Sequence, residues 1–102
     1  MKQAIERPSV EQVIARVANA YGCDEEAIKQ TARGKGKKNT VRWIAMYLSQ
    51  EVCGETLAHI AEAFHVGHYS TVNQTIGRLK REMARDKKLN KSINMLSQDL
   101  TP

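Results

Sequence analysis

Apolar positions recur at helical spacing along most of the chain. Val10, Val13, Ile14, Val17, Ala18 and Tyr21 form one face of a first helix. Ser9 and Gln12 stand at capping-box spacing before it, and Gly22 ends it. Asp24 opens a short second helix, with Glu25 and Glu26 where the dipole favours acids and Ala27 and Ile28 as core contacts. Asn39 or Thr40 caps a third helix, whose face is Val41, Ile44, Ala45, Leu48 and Val52. Gly54 closes that helix and Thr56 caps a fourth, on which Leu57, Ile60, Ala61 and Phe64 fall at i, i+3, i+4 and i+7. A fifth helix is predicted from about Ser70 to Arg85, with the stripe Val72, Ile76, Leu79 and Met83. Leu89, Ile93, Leu96 and Leu100 mark a last helix. No segment alternates with period two. The pattern predicts an all-α bundle of six helices, a single domain over residues 1–102 with residues 1–8 as a flexible end.

The fourth and fifth helices are separated by a few residues around Val66 and Gly67, where glycine offers a flexible turn position. Small Ala61 lets the two backbones approach. This is the sequence form of a helix-turn-helix. The second helix leaves Ser70, Thr71, Asn73, Gln74 and Arg78 off its apolar stripe, side chains able to read base edges and phosphates. The motif by itself also occurs in bundles that bind nothing.

Charge changes that balance. The chain carries 16 Lys+Arg against 11 Asp+Glu, a formal net charge of +5. Lys29, Arg33, Lys35, Lys37, Lys38 and Arg42 lie in residues 29–42 with no acid among them. Arg78, Lys80, Arg81, Arg85, Lys87 and Lys88 outnumber Glu82 and Asp86 in residues 78–88. Two basic segments thus flank the helix-turn-helix, the electrostatic footprint of a phosphate-binding face. The first is Gly-rich: Gly34 and Gly36 keep it thin, so that Arg33 can enter a narrow minor groove. Double-stranded DNA is the partner this pattern points to.

Other chemistry finds little support. The GKGKKNT segment lacks P-loop spacing and no strand precedes it, so no nucleotide site is expected. His59, His65 and His68 lie near Cys53 in sequence, but no CxxC or paired ligand spacing supports a metal. Ser70 is near His68 without a triad or oxyanion loop, so no enzyme and no cofactor are expected. Cys23 and Cys53 read as free thiols in a reducing, cytoplasmic and nucleoid-associated setting. There is no apolar run long enough for a membrane span and no signal peptide. Aromatics are only 5% of the chain, which argues against a stacking-based single-strand binder.

From about Ser9 to Leu100 the chain resembles the C-terminal DNA-binding domain of DnaA, the bacterial replication initiator. Arg42, Ile44, Ala45, Met46, Tyr47 and Leu48 match a family segment of the form R-Q-(I/V)-A-M-Y-L. The family signature F-G-G-R-D-H-T-T-V aligns with Phe64-His65-Val66-Gly67-His68-Tyr69-Ser70-Thr71-Val72. The Phe, the hydroxyl pair and the Val agree; the central residues differ. The resemblance implies a DnaA C-terminal, Trp-repressor-like fold. It implies a minor-groove role for Arg33, phosphate contacts for Arg42, and backbone contacts at the helix start Thr56–Leu57. It implies base contacts for Ser70 and Thr71. His68 and Tyr69 stand where the family has Asp-His, and Gly67 where it has Arg, so altered site preference is expected; the Tyr69 ring can pack on a thymine methyl. Lys35, Lys37 and Lys38 would hold phosphates, and Gln74 and Arg78 would extend the reading surface. No ATPase domain is expected in these 102 residues. The chain is in this respect more similar to transposase-associated relatives with divergent turns, so a targeting module in transposition and a protein-interaction module that has lost DNA are the alternative readings.

Overall fold

Ser9 starts the first helix through reciprocal bonds: its Oγ accepts from the Gln12 N–H at 3.1 Å, and its own N–H donates to Gln12 Oε1 at 2.8 Å. Two otherwise orphaned donors are thereby satisfied. The computed structural model describes residues 8–29 and 40–100. They form α1 (Val10–Tyr21), α2 (Glu25–Lys29), α3 (Thr40–Glu51), α4 (Leu57–Ala63), α5 (Tyr69–Arg85) and α6 (Lys87–Leu100). The architecture is all-α, in agreement with the hydrophobic periodicity.

The central element is α3, which packs against α1, α2, α4 and α5. That placement explains why its buried set is wider than its apolar stripe. Arg42, Met46 and Ser49 are buried beside Ile44, Ala45 and Leu48, while Val41 and Val52 are half-buried. Ser49 is tolerated inside because its Oγ donates to the Ala45 carbonyl at 2.8 Å, so no polar atom is left unpaired. The α1 stripe is buried as expected through Ala18, whereas Tyr21 reaches the surface and its hydroxyl bonds Ser92 Oγ of α6 at 2.6 Å. Arg16 and Asp99 add a second tie between the same helices. Ile93 and Leu96 are the buried residues of α6, and this helix closes the bundle against α1 and α5.

Left-handed residues end three helices. Gly22 (φ 65°) and Gly54 (φ 71°) do so as glycine readily can. The third is His65, at φ 59°, following α4. Gly67, read as a flexible turn position, lies in the same connection. Gly67 is not among the positive-φ residues, and a Cβ there would meet nothing within 4 Å. The reversal happens two residues earlier because the last turn of α4 closes there. The Val66 N–H donates to the Ala61 carbonyl at 2.8 Å and the His65 N–H to the Glu62 carbonyl at 3.3 Å. Those bonds require a left-handed residue between the helix and Val66.

Candidate nucleic-acid interface

Helices α4 and α5 form the expected helix-turn-helix. Ile60 and Ala61 of α4 and Val72, Ile76 and Leu79 of α5 are buried, with Phe64 fully enclosed at the corner. Buried on one side, α5 must turn its other side outward. Thr71, Asn73, Gln74 and Arg78 are exposed along it, and Ser70 is half-buried at its start. The five residues singled out by their position off the stripe thus share one solvent-facing side of α5. The N-terminal end of α5 also carries backbone N–H groups and the positive end of the helix dipole, which suit a phosphate.

The fifth helix begins one residue before the predicted start, at Tyr69. The reason is its cap. His68 has extended backbone (φ −148°, ψ 135°), and its Nδ1 accepts from the Ser70 N–H at 3.2 Å. Ser70 Oγ lies 2.8 Å from the same nitrogen. The periodicity could not show this, because histidine is not among the usual capping residues. Tyr69, 56% exposed, stacks on the His68 ring with centroids 4.9 Å apart. The pair makes a flat aromatic plate at the tip of α5. Beside it lies a concavity lined by Ala58, Ala61, Val66 and Gly67.

At the start of α4, the Thr56 side chain accepts from the His59 N–H at 3.1 Å. Thr56 is exposed and Leu57 half-buried, so this helix start stands at the surface with its cap already made. His59, on the exposed side of α4, pairs with Glu55, and that hydrogen bond and charge hold its imidazole above the usual histidine range. Glu62 and Glu11 push in the same direction.

Arg78 extends the exposed side of α5 toward α3. Its guanidinium carbon lies 5.1 Å from the centroid of the Trp43 ring. Trp43 is thus placed against a residue of the exposed side of α5.

Arg42, for which the resemblance implied a phosphate contact, is turned inward. It is 6% exposed. Its Nη1 donates to the Ile28 carbonyl at 3.0 Å and its Nη2 to the Phe64 carbonyl at 2.8 Å. Burial lowers its pKa from the ordinary arginine value. On α3 Arg42 shares a second buried face with Met46 and Ser49, from which its fork reaches the ends of α2 and α4. Arg33, Lys35, Lys37 and Lys38, together with Asn39 as the alternative cap of α3, lie outside the described residues.

Among the described residues no three His, Cys, Asp or Glu side chains gather into a set able to hold a metal ion. Cys23 and Cys53 are free thiols. No described helix is long and apolar enough to cross a membrane.

The model of the bacterial DnaA protein helix-turn-helix matches residues 10–78. The chain belongs to that family. It is 34% identical over 88 residues to the chromosomal replication initiator protein DnaA of Mycoplasma capricolum, covering 86% of this chain and 19% of that protein. It is 34% identical over 85 residues to the chromosomal replication initiator protein DnaA of Aquifex aeolicus, covering 83% of this chain and 21% of that protein. The chain therefore spans about a fifth of the length of these two DnaA proteins. No solved structure matches it significantly. The DnaA helix-turn-helix match runs from α1 into α5 and so contains all of α4, the turn and α5 as far as Arg78.

Proposed function

We propose that this domain binds double-stranded DNA with sequence preference and without hydrolysing ATP. In this reading α5 lies in the major groove from Tyr69 onward. Thr71 and Gln74 face base edges with Ser70 at their start, and Arg78 sits against a phosphate or the last base of the site. Residues 30–39 reach the adjacent minor groove through Arg33, while Lys35, Lys37 and Lys38 meet phosphates. Thr56 and Leu57 bring the N-terminal end of α4 to the backbone. The observation that carries the reading is the single polar, exposed side of α5 in a DnaA-type helix-turn-helix.

The direct test is selection of bound duplexes from a random pool at stated salt. Enrichment of a defined motif is expected. Binding should weaken with salt at a slope of about −4 to −5 in log K against log salt, corresponding to roughly five neutralised phosphates. The selected site should differ from the usual DnaA box, because His68, Tyr69 and Gly67 replace the residues that the family signature carries. Each exchanged base contact is worth about 1–3 kcal/mol. No enrichment and no salt-dependent binding would remove the proposal. A preference of about a hundredfold for the DnaA box over a scrambled duplex would remove its specificity part, since two lost contacts of that size cannot leave such discrimination.

A further inference from the structure

Among the described residues Arg42 is the one buried charged side chain, and its position calls for a physical reason. An unpaired buried charge is strongly unfavourable, so the guanidinium must be satisfied where it lies. It is satisfied by the ends of two helices. Ile28 belongs to the last turn of α2 and Phe64 is the C-cap of α4. Carbonyls at helix C-termini lack partners within the helix and carry the negative end of the dipole. The planar Arg42 fork bonds one such carbonyl from each helix, at 3.0 and 2.8 Å, and its carbon lies 5.6 Å from the centroid of the Phe64 ring.

The two ends it joins are not arbitrary. Phe64 directly precedes the left-handed residue His65, and thus the turn that aims α5. Ile28 stands in the last turn of α2, just ahead of the basic segment that contains Arg33. One rigid group therefore ties the anchor of the recognition turn to the anchor of the basic segment, with α3 as the base for both.

We infer that Arg42 is a positioning residue for DNA readout, holding the recognition turn and the end of α2 in fixed relation, and is not itself a phosphate ligand. The inference rests on the duplex-binding reading above. Lysine distinguishes the two roles. It retains the charge and can meet a phosphate as a point charge, but its ammonium cannot reproduce the planar fork that spans two carbonyls.

The experiment compares wild type, Arg42→Lys and Arg42→Met on the selected duplex and on a scrambled duplex, across a salt series. Both variants are expected to lose on the order of tenfold in preference for the selected site, with the salt slope unchanged. A phosphate ligand gives the opposite pattern. Arg42→Lys then stays near wild type, and Arg42→Met lowers the slope by about one with preference intact; that result overturns the inference. Wild-type protein labelled with ¹⁵N keeps the test open should Arg42→Met fail to fold. The Arg42 guanidinium N–H signals are expected to be protected from solvent exchange and unmoved by the selected duplex. Signals that exchange freely, or that shift on duplex addition as phosphate contact would make them, overturn it. Absence of wild-type binding to any duplex overturns the proposed function and this inference together, whereas binding with the phosphate-ligand pattern overturns only the inference.

Discussion

The Arg78 guanidinium carbon sits 5.1 Å from the centre of the Trp43 ring, so a cation on the exposed side of α5 rests against an aromatic side chain of α3. A cation over an indole is attracted by the ring quadrupole, by about 0.5–1 kcal/mol at an exposed site. The contact holds a flexible arginine in a defined place at no cost to its charge.

Trp43 is the sole tryptophan, so this contact can be read directly. Saturating duplex is expected to change Trp43 emission as Arg78 takes up a DNA contact. Arg78→Ala should remove most of that change and weaken all duplexes by about 1 kcal/mol if the arginine serves a phosphate, or selectively by 1–3 kcal/mol if it reads a base. Emission that ignores bound duplex would place Arg78 outside the interface.

His65 is held at φ 59°, where a Cβ is unfavourable. Glycine adopts that conformation freely, and the aligned position of the DnaA signature is glycine. His65→Gly should raise stability by about 1 kcal/mol, the relief of strain exceeding the added chain entropy. Urea denaturation measures it. Destabilisation would mean that the histidine side chain contributes more than its backbone strain removes.

The His68 ring accepts the Ser70 N–H through Nδ1. His68→Ala removes the cap of α5 and is expected to destabilise the domain by about 0.5–2 kcal/mol. His68→Asp supplies a good capping carboxylate and should restore most of the loss. Thermal melts of the two variants decide the matter: equal melting temperatures for Ala and Asp would show that the ring packs on Tyr69 rather than caps.

Burial, with Glu55 and Glu11 adding to it, pushes the Cys53 thiol up to about 11 from 9.0. The folded value lies above the unfolded one. This contribution to stability is therefore complete below about pH 9 and is lost as pH rises through 11. Cys53→Ala should flatten the fall of stability over that interval in chemical denaturation. In the native protein, alkylation near neutral pH should reach half-buried Cys23 well before Cys53, checked by mass mapping.

The exposed side of α5 was legible because helical period and chemistry coincide there. Placing Val72, Ile76 and Leu79 inward forces Thr71, Asn73, Gln74 and Arg78 outward. A stripe of this kind is local information, and so is the Ser9–Gln12 capping box. The turn was less legible. Gly67 marked a flexible turn position, while the left-handed conformation falls on His65, because the hydrogen bonds that close α4 choose the residue.

Sequence alone determined the helix order, the apolar stripes, the helix-turn-helix and the polar side of α5, since each follows from spacing and side-chain chemistry within about one turn of its neighbours. Tertiary structure alone decided the fate of Arg42 and the partner of Arg78. Arginine reads as a surface cation in any linear inspection. Only the convergence of the α2 and α4 ends on α3, 14 and 22 residues away along the chain, supplies the carbonyls that make its burial favourable. Likewise, only the packing of α5 across α3 brings Trp43 to Arg78.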